Sequence, residues 1–262
     1  MEIQYIGHAG LLIREDDVVI AFDPFLSGQF LWNGKLNTYT GNSPWIGSTK
    51  NIDAFIDRFA EDLTAILISH AHLDHFDPIT IVRLLERNPE IQVYAPRPVT
   101  DWLKASSVAD PSLSRFFAPI AWDGEYDIEP VQENQNGELK VFIMPNSGIA
   151  KEKYPYRVGY LIQDHSNAGL FLPGDSSATE WWDSHKENVT HIITWGKAVR
   201  KGMIDYFEPH QHIAKIWLIH WESFEPGNFD CSQDPNEFIE IAEDHGVPCE
   251  TLDYEKWIKI EK

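Results

Sequence analysis

The sequence predicts an α/β fold made of two β-rich halves, each carrying helices. Three observations lead there. Short apolar runs rich in branched residues alternate with stretches at helical spacing, as in Asn51–Ala60, Ala65–Ile68 and Pro78–Arg87. Strand, helix, strand at that pitch makes a βαβ unit and therefore a mixed or parallel sheet. Residues able to ligate or titrate stand just past the C-terminal ends of apolar runs, where sheets with helical crossovers gather their ligands.

In chain order, Ile3–Ile6, Leu11–Arg14 and Val18–Phe22 read as three short strands, with turns at Gly7–Gly10 and Asp16-Asp17. Phe25–Lys50 has no clear period. Its aromatics (Phe25, Phe30, Trp32, Tyr39, Trp45) argue against disorder. A loop of that length is expected to serve as a lid or pocket wall, with Trp32 and Trp45 against substrate; an oligomer contact is the rival reading. Asn51–Ala60 places Ile52, Phe55, Ile56 and Phe59 on one helical face. Pro78–Arg87 is expected to turn Ile79, Val82, Leu84 and Leu85 inward, with Asp77 as its N-cap. Ile91–Tyr94 reads as a strand and Val99–Lys104 as a helix. In the second half Leu139–Met144, Val158–Ile162, Gly169–Leu172, Ile192–Trp195 and Lys215–Ile219 are strand candidates. Asn236–His245 is the expected closing helix, stopped by Gly246. With no low-complexity segment and no short-period repeat, residues 1–262 are expected to form one domain.

The chemistry concentrates in Ser69-His70-Ala71-His72-Leu73-Asp74-His75-Phe76-Asp77. Along extended backbone His70 and His72 point the same way and can hold one ion. Asp74 and His75 follow as the chain turns and face a second point nearby. Crowded imidazoles and carboxylates repel and desolvate one another unless a cation unites them, so the spacing points to two neighbouring metal sites. Asp175 follows Pro173-Gly174, and its two oxygens can bridge two ions. His220 ends Ile216-Trp217-Leu218-Ile219 and can complete the second site. His8 and Asp23 follow the first and third strands and are candidates for groups that hold a ligating imidazole in one tautomer. His165, His185 and His191 read as ordinary surface or strand residues. His210 and His212, two apart on an expected helix, do not face each other.

The pattern His-x-His-x-Asp-His after an apolar strand resembles the metallo-β-lactamase superfamily. Within it the chain resembles the small metal-dependent hydrolases that include ascorbate-6-phosphate lactonases and N-acyl-phosphatidylethanolamine phospholipase D. Tyr5-Ile6-Gly7-His8-Ala9-Gly10, Phe22-Asp23-Pro24-Phe25, Pro173-Gly174-Asp175 and Ile219-His220-Trp221 match that branch in order, from Met1 to about Phe224. The resemblance implies a four-layer αββα sandwich, two mixed sheets flanked by helices. It implies that His70, His72 and Asp175 take the first metal, and Asp74, His75, Asp175 and His220 the second. It also implies a third histidine for the first metal, in the segment that here reads Met144-Pro145-Asn146-Ser147-Gly148. Asn146 or Ser147 offers only an oxygen there, a weaker zinc ligand than imidazole, so the first site is expected to be the weaker one. One or two divalent transition-metal ions are expected, zinc foremost, with manganese and iron as alternatives.

A formal charge of −20 argues against nucleic acid or an anionic membrane as a partner, since phosphate binding needs clustered Lys and Arg. No apolar run is long enough to span a bilayer, and the two cysteines, Cys231 and Cys249, read as free thiols, with a disulfide between them as the alternative. A cytoplasmic protein acting on a small molecule is the expectation, with a homo-oligomer left open. The expected activity is hydrolysis of an ester, lactone, amide or phosphodiester by metal-bound hydroxide, with Asp74 orienting the hydroxide or protonating the leaving group. Arg157 is the candidate for gripping an anionic substrate group. Two alternatives stand beside it: a degenerate binding protein with one weak or empty site, and an iron-dependent redox member of the fold.

Overall fold

The computed structural model describes residues 1–106, 116–117, 132–133, 139–145, 156–166, 168–175, 186–196, 213–225, 234–254 and 256–261. The first half opens with β1 (Glu2–Gly7), β2 (Gly10–Glu15) and β3 (Val18–Phe22), then a hairpin of β4 (Gln29–Trp32) and β5 (Lys35–Tyr39). Next come α1 (Thr49–Phe59), β6 (Ala65–Leu67), α2 (Pro78–Arg87), β7 (Gln92–Tyr94), α3 (Arg97–Ala105), β8 (Phe116–Phe117) and β9 (Gln132–Glu133). The second half holds β10 (Lys140–Pro145), β11 (Val158–Gln163), β12 (Gly169–Leu172), β13 (His191–Trp195), β14 (Lys215–Ile219), β15 (Phe224–Glu225), α4 (Pro235–Asp244), β16 (Cys249–Thr251) and β17 (Trp257–Lys259).

Two mixed sheets result. One has the order β17-β1-β2-β3-β6-β7-β8 and the other β16-β14-β13-β12-β11-β10-β9, while β15-β5-β4 form a small third sheet. In the first, β3, β6 and β7 run parallel; in the second, β12, β13, β14 and β16 do. The period of two in each strand sorts the side chains into layers. Ile20, Phe22, Ala65 and Leu67 face the other sheet and meet Tyr160, Ile162, Leu170 and Leu172 in a shared core. Val19, Ala21 and Ile66 face outward onto Phe55, Phe59, Leu84 and Val99 of the helices. On the far side Leu161, Ile192, Ile216 and Leu218 pack on Phe238 and Ala242 of α4. Helix, sheet, sheet and helix form four layers, as the family resemblance implies. Because both faces of each sheet are covered, its strands read as continuous apolar runs.

Three expectations need correction. Phe25–Lys50 is not a structureless loop, because β4 and β5 pair across Asn33-Gly34 with φ of 49° and 74°, the left-handed pair a two-residue hairpin turn needs. In α2 the buried face is Thr80, Ile81, Leu84 and Leu85, while Ile79 is 55% exposed. The cap explains this: Asp77 carboxylate oxygens accept the Ile79 and Thr80 N–H groups and the Thr80 hydroxyl, drawing Thr80 inward. Asp77 also accepts the N–H groups of Leu26 and Ser27, so the same carboxylate pins the loop after β3. Finally, α4 does not close the fold. β17 follows and pairs antiparallel with β1. Strands of two or three residues carry too few side chains to show a period. The Asn146 and Ser147 candidates, His185, His210, His212 and Cys231 lie outside the described residues.

Candidate metal centre

The C-terminal ends of strands from both sheets meet at one seam, and two groups of donors gather there: His8, Asp74, His75 and His220, all buried, and His70, His72 and Asp175. In the first group His8 Nε2 lies 3.2 Å and His220 Nε2 3.1 Å from Asp74 Oδ2. His75 Nε2 lies 3.1 Å from His220 Nε2 and 3.6 Å from Asp74 Oδ2. Asp175 spans the groups, with Oδ2 3.5 Å from His70 Nε2 and Oδ1 3.1 Å from His75 Nε2.

Those separations suit an ion. Donors around a tetrahedral centre with bonds of about 2.0–2.2 Å sit roughly 3.3–3.6 Å apart. Asp74 Oδ1 is buried without a hydrogen-bond partner, and His70 Nε2 is buried with only Asp175 Oδ2 at 3.5 Å beside it, a costly state for polar atoms. Two of the ring edges behind the donors, those of His75 and His70, are fixed as well. His75 Nδ1 donates to Asp23 Oδ2 at 2.7 Å, and His70 Nδ1 lies 2.9 Å from Ser69 Oγ, whose hydroxyl donates to the same Asp23 oxygen at 2.6 Å. Asp23 Oδ1 accepts the Ser69 N–H at 2.7 Å. One carboxylate thus holds His75 directly and His70 through a hydroxyl, leaving both Nε2 atoms aimed at the seam.

Charge and backbone point the same way. Burial pushes His8 and His70 down to about 3 and also lowers His72, so these rings are neutral, the form that coordinates metal. Burial raises Asp74 and Asp175, but His75 beside each, joined by His220 and His8 at Asp74 and by His70 at Asp175, holds them well below the usual carboxylate range. His75 shows the converse. Burial lowers it, yet Asp175, Asp74 and Asp23 outweigh that and keep it charged well above its ordinary value. Three carboxylates demand a positive charge here, and His75 supplies it when no ion does. Of the five described non-glycine residues with positive φ, three belong to this cluster: His8 at 53°, Asp23 at 41° and His220 at 61°. Such backbone persists only where surroundings over-determine it, and it clusters at functional sites. Gly174, φ 59°, presses against Ser69: a Cβ there would stand 2.7 Å from Ser69 Cβ, so only glycine brings Asp175 this close.

Comparison with known proteins places this seam in a family. A model described as the beta-lactamase superfamily domain matches residues 43–208. The chain belongs to the beta-lactamase superfamily. Igni18, a metallo hydrolase from the archaeon Ignicoccus hospitalis, superposes over 99% of both chains with TM-score 0.66 at 16% identity. The isothiocyanate hydrolase from Delia radicum gut bacteria covers 100% of both chains with TM-score 0.63 at 12% identity. At those identities the likeness is one of fold. A cytidine monophosphate-N-acetylneuraminic acid hydroxylase from Asterias rubens is 33% identical over 95 residues, 36% of this chain. The chain spans only 13% of that relative's length.

Within this superfamily fold the other expected residues fall unevenly. The Trp32 ring stands edge-on to His72, centroids 5.3 Å apart, which brings the β4–β5 hairpin to the seam. Trp45 does not reach it. It is 5% exposed and packs on Phe55 and Phe59 of α1, so its assignment to substrate is corrected to core. The reason is spacing: Trp45 lies in the segment that feeds α1, six residues past the end of β5. Arg157 sits with Nη1 3.6 Å from Asp175 Oδ2 and Nη2 3.5 Å from His72 Nδ1. His165 is in an exposed turn beside Glu15 and joins neither group. Two residues escaped the sequence reading. Glu222 and Tyr5 form a buried acid–phenol cluster against the His8 backbone; the only signal was a lone acid in the apolar neighbourhood of His220. Among the described residues no helix is long and apolar enough to cross a membrane.

Proposed function

We propose that the chain is a metal-dependent hydrolase acting on an ester, lactone, amide or phosphodiester of a small molecule. The observation that carries this is the pair of donor groups joined by Asp175, with Asp23 behind both His75 and His70. The residue set fits one or two divalent ions, with zinc the first choice because imidazole dominates. His8, Asp74, His75 and His220 would hold the second ion, His8 entering as a ligand beyond those expected there. His70, His72 and Asp175 would hold the first. When bound, such an ion would supply Lewis acidity, lowering the pKa of a nearby water and polarising a carbonyl or phosphoryl oxygen.

The protein's own groups do the rest. Asp74 is kept ionised by its imidazole neighbours, so Oδ1 is suited to accepting a hydrogen bond from an attacking water and orienting it. Its ionised state favours that task over protonating a leaving group. Arg157, beside His72 and Asp175, offers a cation to an anionic substrate group at the mouth. Trp32 supplies an apolar wall next to His72.

The test is metal content with turnover of a generic phosphodiester and a lactone. The expected result is stepwise loading: the buried four-donor set keeps its ion, and the half-buried three-donor set loses its ion on dialysis. Turnover falls at least 100-fold in Asp74→Ala. A protein that binds no ion, or one whose turnover is unchanged in both Asp74→Ala and His75→Ala, would refute the proposal. An iron-dependent redox activity is the second reading, supported by the 33% identity to a hydroxylase over 95 residues and by the suitability of His and carboxylate ligands for iron. Iron retained in preference to zinc, with oxygen consumed, would favour it.

A further inference from the structure

We propose that Glu222 is a positioning residue: a buried carboxylate that locks the His8–His220 backbone and thereby sets the affinity of the four-donor group. The inference rests on the reading that this group holds a metal ion. Glu222 is 2% exposed, and four donors converge on one of its carboxylate oxygens. Its Oε1 accepts the Tyr5 hydroxyl at 2.5 Å, the Tyr254 hydroxyl at 2.9 Å, the His8 N–H at 3.0 Å and the Tyr39 hydroxyl at 3.4 Å. The Tyr5 hydroxyl also lies 2.8 Å from the His8 carbonyl, and the His220 N–H donates to that same carbonyl at 2.8 Å.

Both polar groups of the His8 peptide are therefore committed, its N–H to Glu222 and its C=O to His220. This matters because His8 and His220 are both left-handed, a conformation uncommon for residues other than glycine. Their rings lie 3.9 Å apart between centroids at a 40° tilt, and each presents Nε2 to Asp74 Oδ2. Released from the bracket, the His8 peptide can relax towards ordinary φ, which swings its imidazole off Asp74. The bracket also ties distant parts of the chain together. Tyr5 is on β1 of the first sheet, Tyr39 on β5, and Glu222 follows β14 of the second sheet. Tyr254 stacks on Tyr5 at 5.2 Å with an interplanar angle of 12°. Burial and the facing carboxylate hold Tyr5 and Tyr254 well above the usual phenol range, so both remain donors at any working pH.

A role confined to fold stability makes a different prediction from a role in positioning, and cobalt separates them. Co²⁺ is titrated into metal-free protein, with affinity read by competition against a chromophoric chelator and geometry by the visible ligand-field bands. Glu222→Ala should weaken Co²⁺ at the four-donor group by tenfold or more and alter its bands, a loss of the size seen when outer partners of metal ligands are removed. Glu222→Gln keeps an acceptor oxygen and should stay within about threefold of wild type. Tyr5→Phe, nearly isosteric, should shift affinity in the same direction as Glu222→Ala and decides the matter if the alanine variant does not fold. Unchanged affinity and bands in Glu222→Ala, or in Tyr5→Phe where the former is unfolded, would overturn the inference while leaving the metal reading intact. Wild-type protein that binds no Co²⁺ would overturn both.

Discussion

Asp23→Asn should damage metal binding as severely as deleting the side chain, although it changes one atom. Asp23 has φ 41°, and asparagine tolerates that region as well as any residue except glycine, so the backbone is left alone. What changes is the acceptor count. Asp23 Oδ2 accepts both the His75 Nδ1–H and the Ser69 hydroxyl, and Oδ1 accepts the Ser69 N–H. An amide nitrogen in the Oδ2 place meets two donors with a donor. His75 can relieve the clash only by moving its proton to Nε2, the atom that faces Asp74, Asp175 and His220. Turned the other way, the amide meets the Ser69 N–H and leaves a buried donor unsatisfied, at a cost of about 1–3 kcal/mol. Loss of an outer partner typically weakens a metal site 10–100-fold, about 1.4–2.7 kcal/mol. The four-donor group should lose the larger share because its His75 touches Asp23 directly, while His70 is reached through Ser69. A competitive chelator titration measures both affinities. Values within twofold of wild type at both sites would refute the reasoning.

Two further outcomes separate core from site. Trp45→Ala should lower stability by about 3–5 kcal/mol in denaturant unfolding, with turnover per folded molecule unchanged. Trp32→Ala should leave the unfolding midpoint near wild type and raise KM; the reverse pattern would return Trp45 to the site. His191 supplies a pH test away from the seam. Burial, aided by Lys215, lowers it to about 4, against about 6.5 in the unfolded chain. The unfolded state therefore takes up a proton first, and stability is lost as pH falls from about 6.5 through 4. His191→Phe, which retains a ring against Trp217, should flatten that acid limb in urea unfolding; an unchanged slope would refute the assignment.

What could be read from the chain follows from length and period. Strands of five or six residues, such as Val18–Phe22 and Val158–Gln163, carry enough apolar side chains to declare themselves. Helix α1 shows its face because Ile52, Phe55, Ile56 and Phe59 fall on one stripe. Helix α2 misled because Ile79, one residue past Pro78, has helical spacing to the core residues yet faces solvent in the first turn. The β4–β5 hairpin was hidden by its partial exposure: Leu31 and Leu36 are 60% and 51% exposed, so its apolar residues do not alternate with polar ones. The gathering of the seven donors was legible because His8, the His70–His75 run, Asp175 and His220 all follow strand ends. The bracket around Glu222 was not, since acid and phenols come from positions 5, 39, 222 and 254, and only the closed fold makes them neighbours.

Division of the donors between sheets explains why the seam is stitched so closely. The first sheet and its loops bring His8, Asp23, His70, His72, Asp74 and His75, while the second brings Asp175 and His220. Neither sheet alone can complete a group. A fraction of an ångström of sliding would spoil separations that must stay near 3 Å, and the dispersion between two apolar faces resists sliding only weakly because it has no direction. Directional bonds carry that task. The Val158 N–H donates to the Ser69 carbonyl at 2.9 Å, the His220 N–H to the His8 carbonyl at 2.8 Å, and the Tyr160 hydroxyl lies 2.9 Å from the Ile68 carbonyl. Each of these bonds joins the two sheets within two residues of a donor. Registration of the sheets and geometry of the candidate metal centre are thus fixed by the same few hydrogen bonds, so a substitution that loosens the seam should cost metal affinity before it costs the fold.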